Sequence, residues 1–167
     1  MSALTLLILS LLGTYPGVTE DDVDRLAVVA EAIADESSSN PVFGTAEDTA
    51  FALVSIAKHE SGLREAVQRC DQRGDNGRSI GLYQLMRGRS WQDYTSGEIC
   101  GNDWVQARLA LTVLERYQSR CQKCGPSWWF RGYAAGDPAV NTRAGRELFH
   151  GFLYEKSRVK EWRGLTQ

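Results

Sequence analysis

The sequence predicts a mainly α-helical (α+β) domain with one small β-hairpin element, and three observations carry that expectation. Apolar residues recur at helical spacing behind recognisable caps along most of the chain. Only one segment, residues 79–86, has strand-like composition. With 167 residues, 43% hydrophobic and 24% charged, the chain is one domain long and rich enough in apolar side chains to fill a core, which excludes disorder and fibrous repeats.

The first element is the apolar run from Ala3 to Leu12. Ten helical residues rise about 15 Å, half of the roughly 30 Å hydrocarbon layer, so the run is too short to span a membrane. Its first basic residue comes only at Arg25 and Tyr15-Pro16-Gly17 follows it, unlike an export signal, and a short buried helix is expected. Thr19, followed by Glu20, Asp21 and Asp22, caps an amphipathic helix with Val23, Leu26, Ala27, Ala30, Ile33 and Ala34 on one stripe. The Ser- and Asn-rich stretch from Glu36 to Gly44, with Pro41, reads as a loop. Thr45 with Asp48 three residues on opens the next helix, which runs to about Ser61 and stops at Gly62 in a left-handed cap.

From Cys70 to Ser79 the chain turns to Asp, Gly, Asn and Arg, a turn signal, and Ser79 to Met86 suits a short strand or hairpin arm. Asn102 or Asp103 caps a long helix that is apolar nearly all round, from Trp104 to Tyr117, and is expected at the centre of the molecule. After Gly125-Pro126, Ser127 opens a short aromatic helix closed by Gly136, Asp137 and Pro138, and a last helix runs from about Asn141 to Val159. Most of the five tryptophans, Trp91, Trp104, Trp128, Trp129 and Trp162, are expected in the core.

Nineteen Lys and Arg against 21 Asp and Glu give a formal charge of −2, so no bulk positive field favours nucleic acid. Cys70, Cys100, Cys121 and Cys124 form an even set; in an oxidising compartment they allow two disulfides in any of three pairings. A single CxxC with the other two cysteines far apart is a poor zinc pattern. His59-Glu60 lacks the second His of a zincin, because Leu63 occupies that position. No metal site and no organic cofactor are expected.

Glu60 is the most informative residue. Positions 53, 56, 57 and 60 share a helix face, so a carboxyl group sits where Leu53, Ile56 and Ala57 call for a hydrophobe. Partial burial disfavours the charged form of a carboxyl group, as a general acid near neutral pH requires. The plainer alternative is a structural carboxylate that turns to solvent or pairs with Arg64.

The segments His59-Glu60-Ser61-Gly62, Gly81-Leu82-Tyr83-Gln84-Leu85 and Tyr133-Ala134-Ala135-Gly136 resemble, in order, the three signature segments of the lytic transglycosylase SLT family of goose-type lysozyme fold, a glycoside hydrolase family 23-like group. The resemblance implies one lysozyme-like domain over 1–167, with N-terminal helices and a loop over 1–44 and a catalytic core over 45–160. It implies Glu60 as catalytic acid and Tyr133 beside it, and substrate contacts from Ser61, Gly81, Leu82, Tyr83, Gln84 and Leu85. Ala134 stands where the family has Asn, and Tyr83 where it has Met.

The implied activity is cleavage of the MurNAc-β-1,4-GlcNAc bond of peptidoglycan to 1,6-anhydro ends, by a monomer acting in the cell envelope or outside the cell. Two alternatives compete: a hydrolytic lysozyme using Asp71 or Asp75 as second carboxylate, and an inactive glycan-binding or assembly module. Phage lysis or virion enzymes and specially delivered bacterial enzymes both fit a chain without a clear export signal.

Overall fold

The computed structural model describes residues 1–88, 90–121 and 123–165. Eight α-helices and one antiparallel two-stranded sheet make up the regular structure of these residues: α1 (Ala3–Gly13), α2 (Val23–Ser39), α3 (Ala46–Ser61), α4 (Glu65–Gln68), β1 (Ser79–Ile80), β2 (Leu85–Met86), α5 (Ser96–Ile99), α6 (Asp103–Arg120), α7 (Pro126–Ala135) and α8 (Arg143–Leu165). The fold is therefore mainly α with a small β-hairpin.

The capping signals hold at most boundaries. Thr45 Oγ1 accepts from the Asp48 amide at 3.0 Å and Asn102 Oδ1 from Val105 at 3.1 Å. Gly62 (φ 59°) and Gly136 (φ 72°) close α3 and α7 in the left-handed region. The first run forms α1, capped by Ser2, and buries Thr5, Ile8, Leu11 and Leu12 against α2 and α3. Among the described residues no helix is long and apolar enough to cross a membrane.

Three boundaries and one placement differ from expectation. Thr19 and Asp22 form their capping box around a 3-10 turn, Glu20–Asp22, and the α-helix proper begins at Val23. That helix continues through Ser39, where a loop was expected. Arg108 of α6 grips Glu36 with two hydrogen bonds, at 2.7 and 3.2 Å, and Ser37 is fully buried, so tertiary contacts override the weak helix preference of the serines. The last helix starts two residues later than expected and reaches Leu165.

The central helix is α3 and not α6. Every residue of α3 from Thr49 to Lys58 is buried, and α1, α2, α6 and α8 pack round it. In α6, Arg108, Thr112, Arg116 and Arg120 remain exposed along one side. The apolar count of α6 hid this polar stripe, whereas the short Ala- and Ser-rich α3 lets its neighbours approach closely; Ser55 Oγ donates to the Leu148 carbonyl of α8 at 2.9 Å. Phe43, Phe130, Phe149 and Phe152 stack beside it with ring centroids 5.4 to 6.4 Å apart. Trp91 and Trp129 are buried, and Trp104 bonds Asp35 at 3.0 Å.

The cysteines pair Cys70 with Cys100 and Cys121 with Cys124, which fits an oxidising compartment. The first bridge spans 30 residues and ties the loop after α4 to the end of α5. Restricting the unfolded chain over that span contributes about 3.5 kcal/mol, against roughly 2 kcal/mol for the short Cys121–Cys124 loop.

Candidate active site

The groove that matters lies where the C-terminal turn of α3 meets the hairpin, α6 and α7. It encloses about 180 Å³, and Glu60, Asp75, Gln84, Tyr117 and Tyr133 are on its walls. Three segments far apart in sequence thus deliver the first-ranked acid, the glutamine and the tyrosine to one place.

Glu60 comes from the last turn of the buried helix, and its side chain is 21% exposed. Its closest charged neighbour is His59, whose Nδ1 stands 3.6 Å from Oε1. The other imidazole nitrogen, Nε2, is 3.1 Å from Oε2 of Glu147 in α8, and Glu147 Oε1 accepts from Arg143 Nε at 2.6 Å. A polar chain Arg143, Glu147, His59, Glu60 therefore leads from the surface to the groove. The adjoining Glu60 carboxylate, reinforced by Glu147 and opposed by partial burial, holds the His59 imidazole above its ordinary value.

Gln84 closes the hairpin turn with φ 46°, a left-handed conformation that is sterically costly for a side chain bearing a Cβ. Two features enforce it. Its backbone N–H and its Nε2 both donate to the Gly81 carbonyl at 3.1 Å, and Gly74 passes so close that a Cβ there would lie 2.0 Å from Gln84 Oε1. Gly81 itself, at φ 73°, presses on Gln106 of α6, whose Oε1 accepts from the Leu82 amide at 2.7 Å while Nε2 donates to the Gln68 and Ile99 carbonyls. Gln106 thus staples the groove's turn, the loop after α4 and the end of α5 to the helical frame.

Tyr133 donates its hydroxyl proton to the Tyr83 carbonyl at 2.7 Å. Burial pushes the hydroxyl well above the usual tyrosine value, and the charge of Glu60 adds to the shift, so Tyr133 stays neutral. Its expected bond to the acid is corrected on this point: the proton fixes the turn, and the ring forms wall.

The other expected substrate contacts are corrected as well. Leu82, Tyr83 and Leu85 are at most 1% exposed and point into the core, and Gly81 lies behind the wall against Gln106. Ser61 is buried and spends its hydroxyl on the Ala57 carbonyl at 2.6 Å. These five residues shape the groove from behind, because an apolar turn next to a helical core buries its side chains before it offers them to ligand. No tryptophan lines the groove.

Of the two candidate second carboxylates, Asp75 is on the groove wall, accepting from Ser79 Oγ at 2.5 Å. Asp71 is exposed and outside it. Among the described residues no group of His, Cys, Asp and Glu stands close enough to hold a metal ion.

Sequence reasoning treated His59 only as a failed zinc ligand and overlooked Gln106. Both act across contacts of 24 residues or more, 88 for His59 to Glu147, and no local pattern announces them. No protein-family model, curated protein or solved structure matches the chain.

Proposed function

We propose that this protein is a lytic transglycosylase of the SLT type, a lysozyme-like enzyme that cleaves the MurNAc-β-1,4-GlcNAc bond of peptidoglycan in the envelope or outside the cell. The observation that carries the reading is the convergence of Glu60, Gln84 and Tyr133, from three separate motif segments, on one groove.

The chemistry needs few groups. Neutral Glu60 gives its proton to the glycosidic oxygen as the bond to C1 breaks and the muramic ring takes on oxocarbenium character. The Glu60 carboxylate then removes the proton from the sugar's own C6 hydroxyl, whose oxygen bonds to C1 and closes the 1,6-anhydro ring. Acid and base are one residue, so a second carboxylate to position water is unnecessary. Gln84 offers its remaining amide N–H and carbonyl to the sugar, Tyr133 holds the hairpin turn in place, and His59 orients the Glu60 carboxylate from outside the groove.

A second reading is favoured by Asp75, which shares the groove with Glu60 and has the chemistry to activate water in a hydrolytic lysozyme. Mass spectrometry of the soluble products from purified peptidoglycan separates the two. Anhydro-muropeptides are the expected products; reducing-end muropeptides that have gained water assign the chain to the hydrolases, and no release of any product leaves a glycan-binding module.

A further inference from the structure

A second cavity of about 430 Å³ lies on the opposite side of the α3 terminus, between the α1–α2 connector and α8. Lys58 and Glu155 form a buried pair in its lining, with Nζ 2.6 Å from Oε1. Glu155 is 3% exposed, yet its second oxygen, Oε2, has no hydrogen-bond donor; Arg158 Nη1 stands at 3.7 Å, beyond hydrogen-bond reach. A buried carboxylate oxygen facing a cavity without a donor invites one from a ligand.

The remaining lining says what kind. Lys58, His59 and Arg158 bring cationic chemistry against the carboxylates of Glu147 and Glu155, and Tyr15 and the 60% exposed Tyr154 give aromatic walls. A sugar's hydroxyls satisfy Glu155 but make little use of the cations, and a simple ammonium group meets Lys58 and Arg158 as like charges. A short acidic peptide offers both an N–H for Glu155 Oε2 and a carboxylate for the Arg158 guanidinium, which suits planar carboxylate recognition.

The cavity also sits in a telling place. His59 lines it, while the next residue, Glu60, lines the groove, so the two spaces abut across one peptide unit. In peptidoglycan the acidic stem peptide hangs from the lactyl ether of the muramic acid whose glycosidic bond is broken. We propose that this cavity binds the stem peptide, with a backbone N–H on Glu155 and a peptide carboxylate on Arg158, while the glycan lies in the Glu60 groove. The inference rests on the transglycosylase reading for its ligand, but its test does not require activity.

The probe is the free tripeptide L-Ala-γ-D-Glu-meso-diaminopimelate, titrated into the intact protein by NMR, alongside turnover on stem-bearing peptidoglycan and on glycan strands stripped of peptide by an amidase. The expected result is saturable tripeptide binding, weakened about tenfold or more by Arg158→Gln and by Tyr154→Ala. The same variants raise KM on stem-bearing strands and leave turnover of stripped strands unchanged. Tyr154 is largely exposed, so its replacement reports on binding even if the Arg158 variant fails to fold. Absence of saturable tripeptide binding, or binding indifferent to both substitutions, overturns the inference. Tripeptide binding with neither polymer cleaved supports the cavity and removes the enzymatic reading, whereas equal cleavage of both polymers without tripeptide binding does the reverse.

Discussion

Lys58 and Glu60 stand two residues apart on the same helix and live under opposite rules. Lys58 is 9% exposed, and its ammonium is committed to Glu155, 97 residues away, at 2.6 Å. Burial pulls its ionisation down and Glu155 pulls it back up. Glu60 also leaves water in part, but its nearest ionic partner is His59 at 3.6 Å, too far for a firm hydrogen bond. A charge that serves the frame is paired directly within the protein. A charge that serves a ligand keeps its oxygens for the ligand, and proximity to an indirect partner adjusts it.

The largest effect expected from breaking this contrast is on the Glu60 side. Glu60→Gln keeps shape and removes the transferable proton, so clearing of a peptidoglycan suspension should slow by about a thousandfold, within the range for loss of a general acid. Thermal unfolding should be unchanged, because no protein group depends on this carboxylate for a close hydrogen bond. A variant that clears within tenfold of the parent ends the comparison.

On the Lys58 side the signs reverse. Lys58→Met strands the Glu155 carboxylate in the interior and should cost about 3–5 kcal/mol in urea unfolding. Replacing both partners, Lys58→Met with Glu155→Leu, should recover most of that loss, because two apolar groups need no pairing. Equal destabilisation by the single and double variants contradicts the view that the pair is structural.

A smaller effect separates wall from acid. Tyr133→Phe removes the donor to the Tyr83 carbonyl and should lower stability by about 1–2 kcal/mol. Its activity should fall less than tenfold, since the hydroxyl holds the turn and does not touch Glu60.

How much of this was legible beforehand differs between frame and site. The Thr45–Asp48 cap, Gly62 and the apolar spacing defined α3 and singled out Glu60, because those signals are local. The hairpin at 79–86 and the Asn102 cap were readable for the same reason. The continuation of α2 past Glu36 was hidden, because its cause is Arg108 on another helix. Leu82, Tyr83 and Leu85 have the composition of a ligand wall and of a core alike, and only packing decides between the two. His59, joined to Glu147, and Gln106, joined to three backbone segments, are meaningful only once distant strands of the chain meet.

The finest prediction concerns His59. Its folded ionisation lies above the reference of 6.5, so the stability it contributes is complete below that pH and is lost as pH rises through the folded value. Melting temperatures taken from about pH 6 to about pH 9 should show that loss in the parent and a flatter profile in His59→Asn. Parallel profiles remove His59 from the polar chain that reaches Glu60.

The most direct test is a crystal structure of Glu60→Gln with an N-acetylated chito-oligosaccharide bound. The account predicts sugar rings along the groove between the hairpin and α7, with a glycosidic oxygen about 3 Å from the residue 60 side chain, the reach a proton donor requires. Sugar bound elsewhere, or lying in the groove with residue 60 turned away from the glycosidic oxygen, contradicts it.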